Sequence, residues 1–185
     1  MGRLFRYFAY GSNMHPLRLG LRTPSCRALG TASIARHSLR FHKRSDTHGH
    51  VSGKCDAFYT GRAGDVIHGV LYEVHVRERR HLDEAEGAGS GYHGVDLSVS
   101  LAGEAREAYT FVADADWIDE ALLPYDWYVA IVSSGARIHG LPMEYQARLR
   151  SIASVPDPDR ERASRHFEIA RGTGKIRPFF RKPRE

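Results

Sequence analysis

The first half of the chain alternates short apolar segments with polar turns, a pattern typical of β-strands. Residues 4–10 form an aromatic and apolar run that stops at Gly11-Ser12-Asn13, which predicts a buried strand ending in a loop. Other apolar stretches have the same character: residues 28–42, 57–59 and 66–76. Between them, residues 43–54 are polar and rich in Gly and His, and they predict a loop.

Helical patterns interrupt and then follow the strands. Pro16 opens a short helix after the Gly-Ser-Asn turn, and the charged residues 77–86 predict a helix that ends at Gly87. Two alternating stretches, 95–101 and 106–113, predict a hairpin through Gly103. Amphipathic patterns at 125–133 and 141–152 then predict two helices that complete the core. The chain is therefore predicted to be an α+β protein.

Composition limits what kind of protein this is. With 185 residues the chain fits one compact domain, predicted at 1–154. Residues 155–185 combine Pro, Asp and Arg with little apolar periodicity, and they predict a basic C-terminal tail that is loosely attached. No apolar run approaches the about 20 residues of a membrane span, so we expect a soluble, cytoplasmic protein with no membrane partner.

The formal net charge of +5 raises nucleic acid as a partner. Basic residues cluster at 36–44 and in the tail, where Lys175, Arg177, Arg181 and Lys182 surround Phe179 and Phe180. No recognised nucleic-acid module accompanies this charge, so we interpret it as solvated surface and do not expect nucleic acid as a partner. The sequence leaves a homodimer open.

The turn after the first strand is a candidate anion site. Backbone N–H groups at a Gly-containing turn and at the start of a helix point outward without partners, which suits a carboxylate. Gly11 allows close approach of a ligand and a sharp turn, while Ser12 and Asn13 add side-chain hydrogen-bonding groups. Taken alone, the tripeptide is a weak signal, and a turn that caps a helix without any ligand explains it as well or better.

Glu86 is the candidate base. It ends the predicted helix 77–86, where the negative end of the helix dipole disfavours a resting anion. Glu84 lies two residues earlier, about 200° away around the helix, so only one of the two carboxylates can face a given pocket. An exposed and solvated Glu86 is the alternative interpretation.

Together these segments resemble the gamma-glutamylcyclotransferase family. The similarity rests on Tyr-Phe-Ala-Tyr-Gly-Ser-Asn-Met at 7–14 and Leu-Asp-Glu-Ala-Glu-Gly at 82–87, with support from Gly-Leu-Pro-Met-Glu-Tyr at 140–145, and it spans about residues 5–152. It implies a small mixed β-barrel with flanking α-helices. It also implies a small-molecule gamma-glutamyl substrate, which is cyclised to 5-oxoproline with release of an amine and without a cofactor.

The resemblance also assigns roles to residues. Glu86 falls on the family's catalytic position, and the loop Tyr10, Gly11, Ser12, Asn13 on the part that binds the alpha-carboxylate and amino end of the gamma-glutamyl group. Tyr128 resembles the aromatic residue that lines the pocket. Where some relatives carry a Tyr shortly after the catalytic Glu, this chain offers either Tyr92 or His93. The leaving amine stays open.

Other kinds of site have weaker support. His48-x-His50 lacks further metal ligands at a recognised spacing, so no metal is expected. Gly172-Thr173-Gly174-Lys175 lacks the first Gly and the final Ser/Thr of a P-loop. No local motif supports Cys26 or Cys55 as a nucleophile. The main alternative is a binding module that uses the same pocket without catalysis, or that contacts nucleic acid through its basic tail.

Overall fold

Seven β-strands make up a barrel and a separate hairpin in the computed structural model, which describes residues 2–47 and 49–172. The strands are β1 (Leu4–Ala9), β2 (Arg27–Ala35), β3 (His37–Thr47), β4 (His50–Tyr59), β5 (Val66–His75), β6 (Tyr92–Leu101) and β7 (Glu104–Ala113). The barrel closes in the order β1, β5, β2, β6, β7, and β3 pairs with β4 in a two-stranded sheet. Because β1 runs parallel to β7 and the other neighbours are antiparallel, the barrel is mixed.

Five α-helices surround this barrel within the described residues. They are α1 (Pro16–Arg22), α2 (Arg79–Glu86), α3 (Asp126–Ile138), α4 (Met143–Arg150) and α5 (Arg160–Arg171). Proline occupies the first turn of α1, where its missing N–H costs nothing, and Gly87 ends α2 in the left-handed conformation with φ of 68°. The predicted α+β class, with a small mixed barrel and flanking helices, is confirmed. None of the helices in the described ranges is long and apolar enough to cross a membrane.

The close approach of α3 to the segment after β1 fixes that segment in place. Ile131, Val132 and Ala136 on α3 are fully buried. At Gly135 a Cβ atom would lie 2.8 Å from both the His15 backbone nitrogen and the Met14 Cβ atom, so only glycine allows the helix this near. The turn that follows β1 is therefore packed from beneath by a rigid helix.

The prediction of a polar loop at residues 43–54 is wrong, because residues 43–47 continue β3 and residues 50–54 belong to β4 of a long hairpin. Lys43 pairs with Lys54 and Ser45 with Ser52 across the two strands. Lys43 and Ser52 are buried. One face of the hairpin borders a polar cleft rather than an apolar core, so the strands lack the apolar alternation that marks a half-buried strand.

The expectation of a loosely attached tail is wrong for residues 155–172. Helix α5 packs on α3, with the His166 ring stacked on Trp127 at 3.9 Å and Ser134 Oγ donating to the Ala170 carbonyl. Asp157 accepts hydrogen bonds from Trp127 Nε1 at 2.7 Å and from Arg162 Nε at 2.7 Å. Ala163, Phe167 and Ala170 of α5 also pack against the core. This apolar stripe is short and lies among charged residues, so the sequence pattern did not reveal the helix. The rest of the predicted basic tail, residues 173–185, lies outside the described residues.

Candidate active site

The turn after β1 forms the floor of a small recess. The chain leaves β1 at Tyr10 and makes one short 3-10 turn, closed by hydrogen bonds from the Met14 N–H to the Gly11 carbonyl and from the His15 N–H to the Ser12 carbonyl. Ser12 and Asn13 are buried. The loop Tyr10–Asn13 lines the recess, as do Glu86, Tyr92 and Tyr128, so the structure brings all the predicted site residues together.

Glu86 enters this recess from the last turn of α2. Its side chain is 18% exposed and meets the loop after β1. Glu84 instead points to solvent, where it pairs with Arg80 at 2.8 Å. The expected divergence of the two carboxylates around the helix is thus present, and it is Glu86 that faces the recess.

Asn13 and Arg22 hold the Glu86 carboxylate. Asn13 Nδ2 donates to Glu86 Oε1 at 2.9 Å and to the Tyr7 hydroxyl at 2.9 Å, and Asn13 Oδ1 accepts from Arg22 at 2.6 Å. The Arg22 guanidinium also forms an ion pair with the same Oε1 atom. The positive charge of Arg22 offsets the unfavourable helix end at which Glu86 lies.

Neither Arg22 nor Tyr7 was assigned a role from the sequence. Arg22 is the last residue of α1, 64 residues before Glu86, and no spacing rule connects the two. Tyr7 belongs to the motif at 7–14, but nothing in the motif marks it as a partner of Asn13. Burial, followed by the nearby Glu86 charge, raises the pKa of the Tyr7 hydroxyl well above its usual range, so it is neutral at physiological pH.

The recess tyrosines bond to the backbone of the protein itself. Tyr10 Oη donates to the Phe111 carbonyl at 2.5 Å. Tyr92 Oη donates to the Cys55 carbonyl, and Tyr128 Oη accepts from the Cys55 N–H at 3.2 Å. These contacts lock the rings in place, so the three residues shape the recess chiefly through their rings.

The choice between Tyr92 and His93 is decided by strand alternation. Tyr92 is buried and lines the recess, whereas His93, the next residue of β6, is exposed and contacts Asp114 at 2.5 Å. Successive residues of a strand point to opposite faces, so only one of the two can reach the recess. Tyr92 is the residue that does.

Gly11 allows a close contact rather than an unusual backbone angle. Its φ of −107° lies outside the left-handed region that favours glycine. A Cβ at this position would lie 3.1 Å from Cys55 Cβ and 3.4 Å from the Tyr128 hydroxyl. Glycine therefore lets β4 and α3 close against the loop.

Thiol and metal catalysis have little support in the described part of the chain. Burial raises the pKa of the Cys55 thiol to about 12, so at neutral pH it is not the thiolate that nucleophilic catalysis needs. No group of three or more His, Cys, Asp or Glu side chains in residues 2–47 and 49–172 is placed to hold a metal ion. His48 of the His48-x-His50 pair lies outside these ranges, as do Thr173, Gly174 and Lys175.

The recess opens into a wider, strongly basic cleft with a volume of about 240 Å³. The two share Ser12, Glu86, Tyr92 and Tyr128. The cleft is also lined by five cationic side chains: Arg18, Arg22, Lys43, Lys54 and Arg162. Glu86 is the one acidic residue among its described lining residues. Like Arg22, the other four cations were not predicted to line a site. Lys43 belongs to the basic cluster 36–44, which we interpreted as solvated surface, and Lys54 lies in the segment predicted to be a loop. Arg162 lies in the part of the chain predicted to be a loose tail.

The barrel and its recess define a known class of protein. Residues 66–149 match the profile of the AIG2-like family. A solved structure described as a gamma-glutamyl cyclotransferase superimposes with a TM-score of 0.80 at 26% identity, and the match covers 92% of this chain and 99% of that one.

Sequence similarity to curated proteins identifies the family within this class. The human gamma-glutamylcyclotransferase is 32% identical over 155 residues, which cover 80% of this chain and 78% of the relative. The cattle gamma-glutamylcyclotransferase is 30% identical over 158 residues, which cover 82% and 80% of the two chains. The chain belongs to the gamma-glutamylcyclotransferase family.

Proposed function

We propose that this protein cyclises a gamma-glutamyl amide or dipeptide to 5-oxoproline and releases a free amine or amino acid. The alpha-amino nitrogen of the substrate attacks its own gamma-carbonyl carbon and forms the ring C–N bond. The bond from that carbon to the departing nitrogen then breaks, and this nitrogen leaves with one added proton. Neither water nor a cofactor takes part in this balance.

Glu86 moves the proton in this scheme. The substrate amine is largely protonated at neutral pH, so a base must remove one proton before attack. The attacking nitrogen gives up a second proton as the ring amide forms, and the same carboxylate can pass a proton to the departing nitrogen. The observation that carries the proposal is the fixed carboxylate in the recess: Asn13 and Arg22 both bind Oε1. No side chain or backbone group within the described ranges donates a hydrogen bond to Oε2. Oε2 is the oxygen that meets the substrate.

The loop Tyr10–Asn13 holds the gamma-glutamyl end of the substrate. The N–H groups of Ser12 and Asn13 come before the hydrogen-bonded pair of the 3-10 turn, at positions where helical donors have no intrahelical partner. Such donors suit the alpha-carboxylate and the oxyanion that develops on the gamma-carbonyl. Anchoring the carboxylate folds the flexible substrate toward its ring-closing conformation, and intramolecular attack then has a high effective molarity.

The Tyr92 and Tyr128 rings line this site and complete the proposed substrate pocket. Both are buried beside Glu86, and their hydroxyls are held by Cys55. Apolar ring faces around the reacting atoms exclude water, which strengthens the interaction between Glu86 and the amine.

Release of 5-oxoproline tests the proposal. The purified protein is incubated with gamma-glutamyl dipeptides, gamma-glutamyl amines and glutathione, and 5-oxoproline is measured by chromatography. We expect 5-oxoproline and the free amine in equal amounts from at least one class of substrate. Folded protein that binds these compounds and releases no 5-oxoproline would contradict the proposal and favour the binding module.

A further inference from the structure

The basic cleft beside Glu86 carries positive charge that the protein does not neutralise. Two of its five cations have carboxylate partners: Arg22 pairs with Glu86, and Arg162 pairs with Asp157 at 2.6 Å. The other three, Arg18, Lys43 and Lys54, form no ion pair with any described residue. We call these three residues the cation triad.

Two members of the cation triad are direct cross-strand neighbours. Lys43 on β3 pairs with Lys54 on β4, which places both side chains on the same face of the hairpin. Like charges directly opposite each other in an antiparallel pair are destabilising. The hairpin keeps this pair even though its other face and its ends offer solvated positions for lysine.

The lysines lie against aromatic rings rather than carboxylates. Lys54 Nζ is 4.5 Å from the Trp127 ring centroid and 4.4 Å from that of Tyr128. Lys43 Nζ is 4.5 Å from the Tyr92 ring centroid. Cation–π contacts offset part of the cost of taking an ammonium group out of water. Burial still lowers the pKa of Lys54 to about 7, so an anion bound beside it favours the charged form.

Arg18, on α1, completes the triad. Its Nε atom donates to Ser12 Oγ at 3.0 Å, which connects it to the loop of the recess. Its other neighbour, His166, is neutral, because burial and the nearby Arg18 lower the pKa of the His166 ring to about 3, so it supplies no negative charge to balance Arg18. Arg18 keeps its own proton at neutral pH, although burial lowers its pKa to about 10.

The departing part of the substrate has to occupy this cleft. Glu86 lines both the recess and the cleft, and its carboxylate must reach the departing nitrogen to return the proton. The inner side of the recess is closed by Tyr10 and Phe111, which are both buried. The group beyond the scissile bond therefore extends past Glu86 toward the cation triad.

We propose that the leaving group of the natural substrate is polyanionic, carrying two or more carboxylate or phosphate charges that bind Arg18, Lys43 and Lys54. The inference rests on the proposed cyclotransferase function and names its substrate class. A single carboxylate engages one or two cations, so the alpha-carboxylate of an ordinary amino acid leaves the triad partly unmatched. A second anionic group on the same leaving amine completes the match.

Matched substrate pairs test the proposal. Gamma-glutamyl-glutamate and gamma-glutamyl-glutamine have nearly the same shape and differ by one negative charge on the leaving group. Gamma-glutamyl-phosphoserine and gamma-glutamyl-serine make the same comparison for phosphate. We expect kcat/KM to favour the more anionic member of at least one pair by about tenfold or more, and the pair with the larger ratio identifies carboxylate or phosphate as the charge recognised.

Substitution of Lys54 tests whether the preference for anionic substrates depends on the cleft. Lys54→Met keeps an unbranched side chain of similar length over the aromatic rings and removes its charge, and we expect the anionic preference to fall about tenfold. Lys54→Arg restores a cation and should restore the preference. Arg150→Gln removes a charge from an exposed position at the end of α4, and we expect it to leave the ratio unchanged.

The experiments distinguish failure of the polyanionic leaving group from failure of the cyclotransferase proposal. Release of 5-oxoproline with equal or lower kcat/KM for the anionic substrates would overturn the polyanionic leaving group and leave the cyclotransferase proposal standing. If no substrate is turned over, the cyclotransferase proposal fails. Calorimetric binding of the same pairs to the wild-type protein then still decides the charge preference: tighter binding of the anionic member supports it, and equal binding overturns it.

Discussion

Asn13 donates a 2.9 Å hydrogen bond to Glu86 Oε1 and so joins two segments that lie 73 residues apart in the chain. One residue belongs to the turn after β1 and the other to the end of α2. The contact fixes the position of the Glu86 carboxylate relative to the loop, since the same Asn13 amide also binds Tyr7 and Arg22. Any displacement of the loop therefore moves the proposed base.

Replacement of Asn13 tests this coupling. In Asn13→Ala, Glu86 Oε1 loses one of its two donors and the Tyr7 hydroxyl loses its partner, so we expect kcat to fall by about tenfold to a hundredfold. The buried hydroxyl left unpaired costs about 1–3 kcal/mol of stability. Steady-state kinetics and chemical denaturation measure the two effects separately.

Gln146→Ala is the matched control for that variant. Gln146, on α4 and away from the recess, is also a buried amide, and its Nε2 donates to the Leu141 carbonyl at 2.7 Å. We expect a comparable loss of stability with kcat preserved. If both variants lost kcat equally, the effect of Asn13→Ala would reflect general destabilisation and not the position of Glu86.

Gly11→Val is expected to weaken substrate binding. Its Cβ would meet Cys55 Cβ at 3.1 Å, and the two methyl groups would force the loop away from β4 and α3. We expect KM to rise about tenfold or more. Gly64→Val is the control, because a Cβ at Gly64 meets no atom within 4 Å. An unchanged KM in Gly11→Val would show that the loop tolerates the shift.

Lys54 should make stability depend on pH. Burial, followed by the charge of Arg18, lowers its pKa from 10.5 to about 7, with Arg162 acting in the same direction and Cys55 and Asp157 opposing it. Between about pH 7 and 10.5 the unfolded chain therefore holds a proton on Lys54 that the folded protein lacks. Because the unfolded state binds more protons there, raising the pH stabilises the folded state.

Comparison with Lys54→Met isolates this effect, since the other titrating groups are common to both proteins. We expect the free energy of unfolding of the wild type, relative to Lys54→Met, to rise as the pH increases from 7 to 10 and to be constant below about pH 6. Denaturant titrations at several pH values measure the difference. A difference that is flat across the whole range would show that Lys54 titrates normally.

Much of the recess could be predicted from sequence because its parts are local. The Gly11-Ser12-Asn13 turn follows an unmistakable strand, and Glu86 precedes a helix-ending glycine. Their resemblance to one family connected two segments that no periodicity relates. Strand alternation then excluded His93 only once the bounds of β6 were known.

The cleft could not be predicted, for a physical reason. Its cations lie on a polar-faced hairpin and on helix faces that look like solvated surface, and only the fold turns Lys43, Lys54 and Arg18 toward one space. Helix α5 was missed for a related reason, because the Asp157 hydrogen bonds and the stacked His166 hold it to α3 beside only a short apolar stripe. Apolar patterning reports burial in an apolar core and is silent about polar interfaces.

The most direct test of the account compares Glu86→Gln with Glu84→Gln in the release of 5-oxoproline. Both variants remove one carboxylate from the same helix, but Glu86 faces the recess and Glu84 pairs with Arg80 at the surface. We predict that Glu86→Gln lowers kcat by about 10³-fold or more while substrate still binds, and that Glu84→Gln keeps wild-type turnover. Wild-type turnover by a folded Glu86→Gln protein would contradict the account.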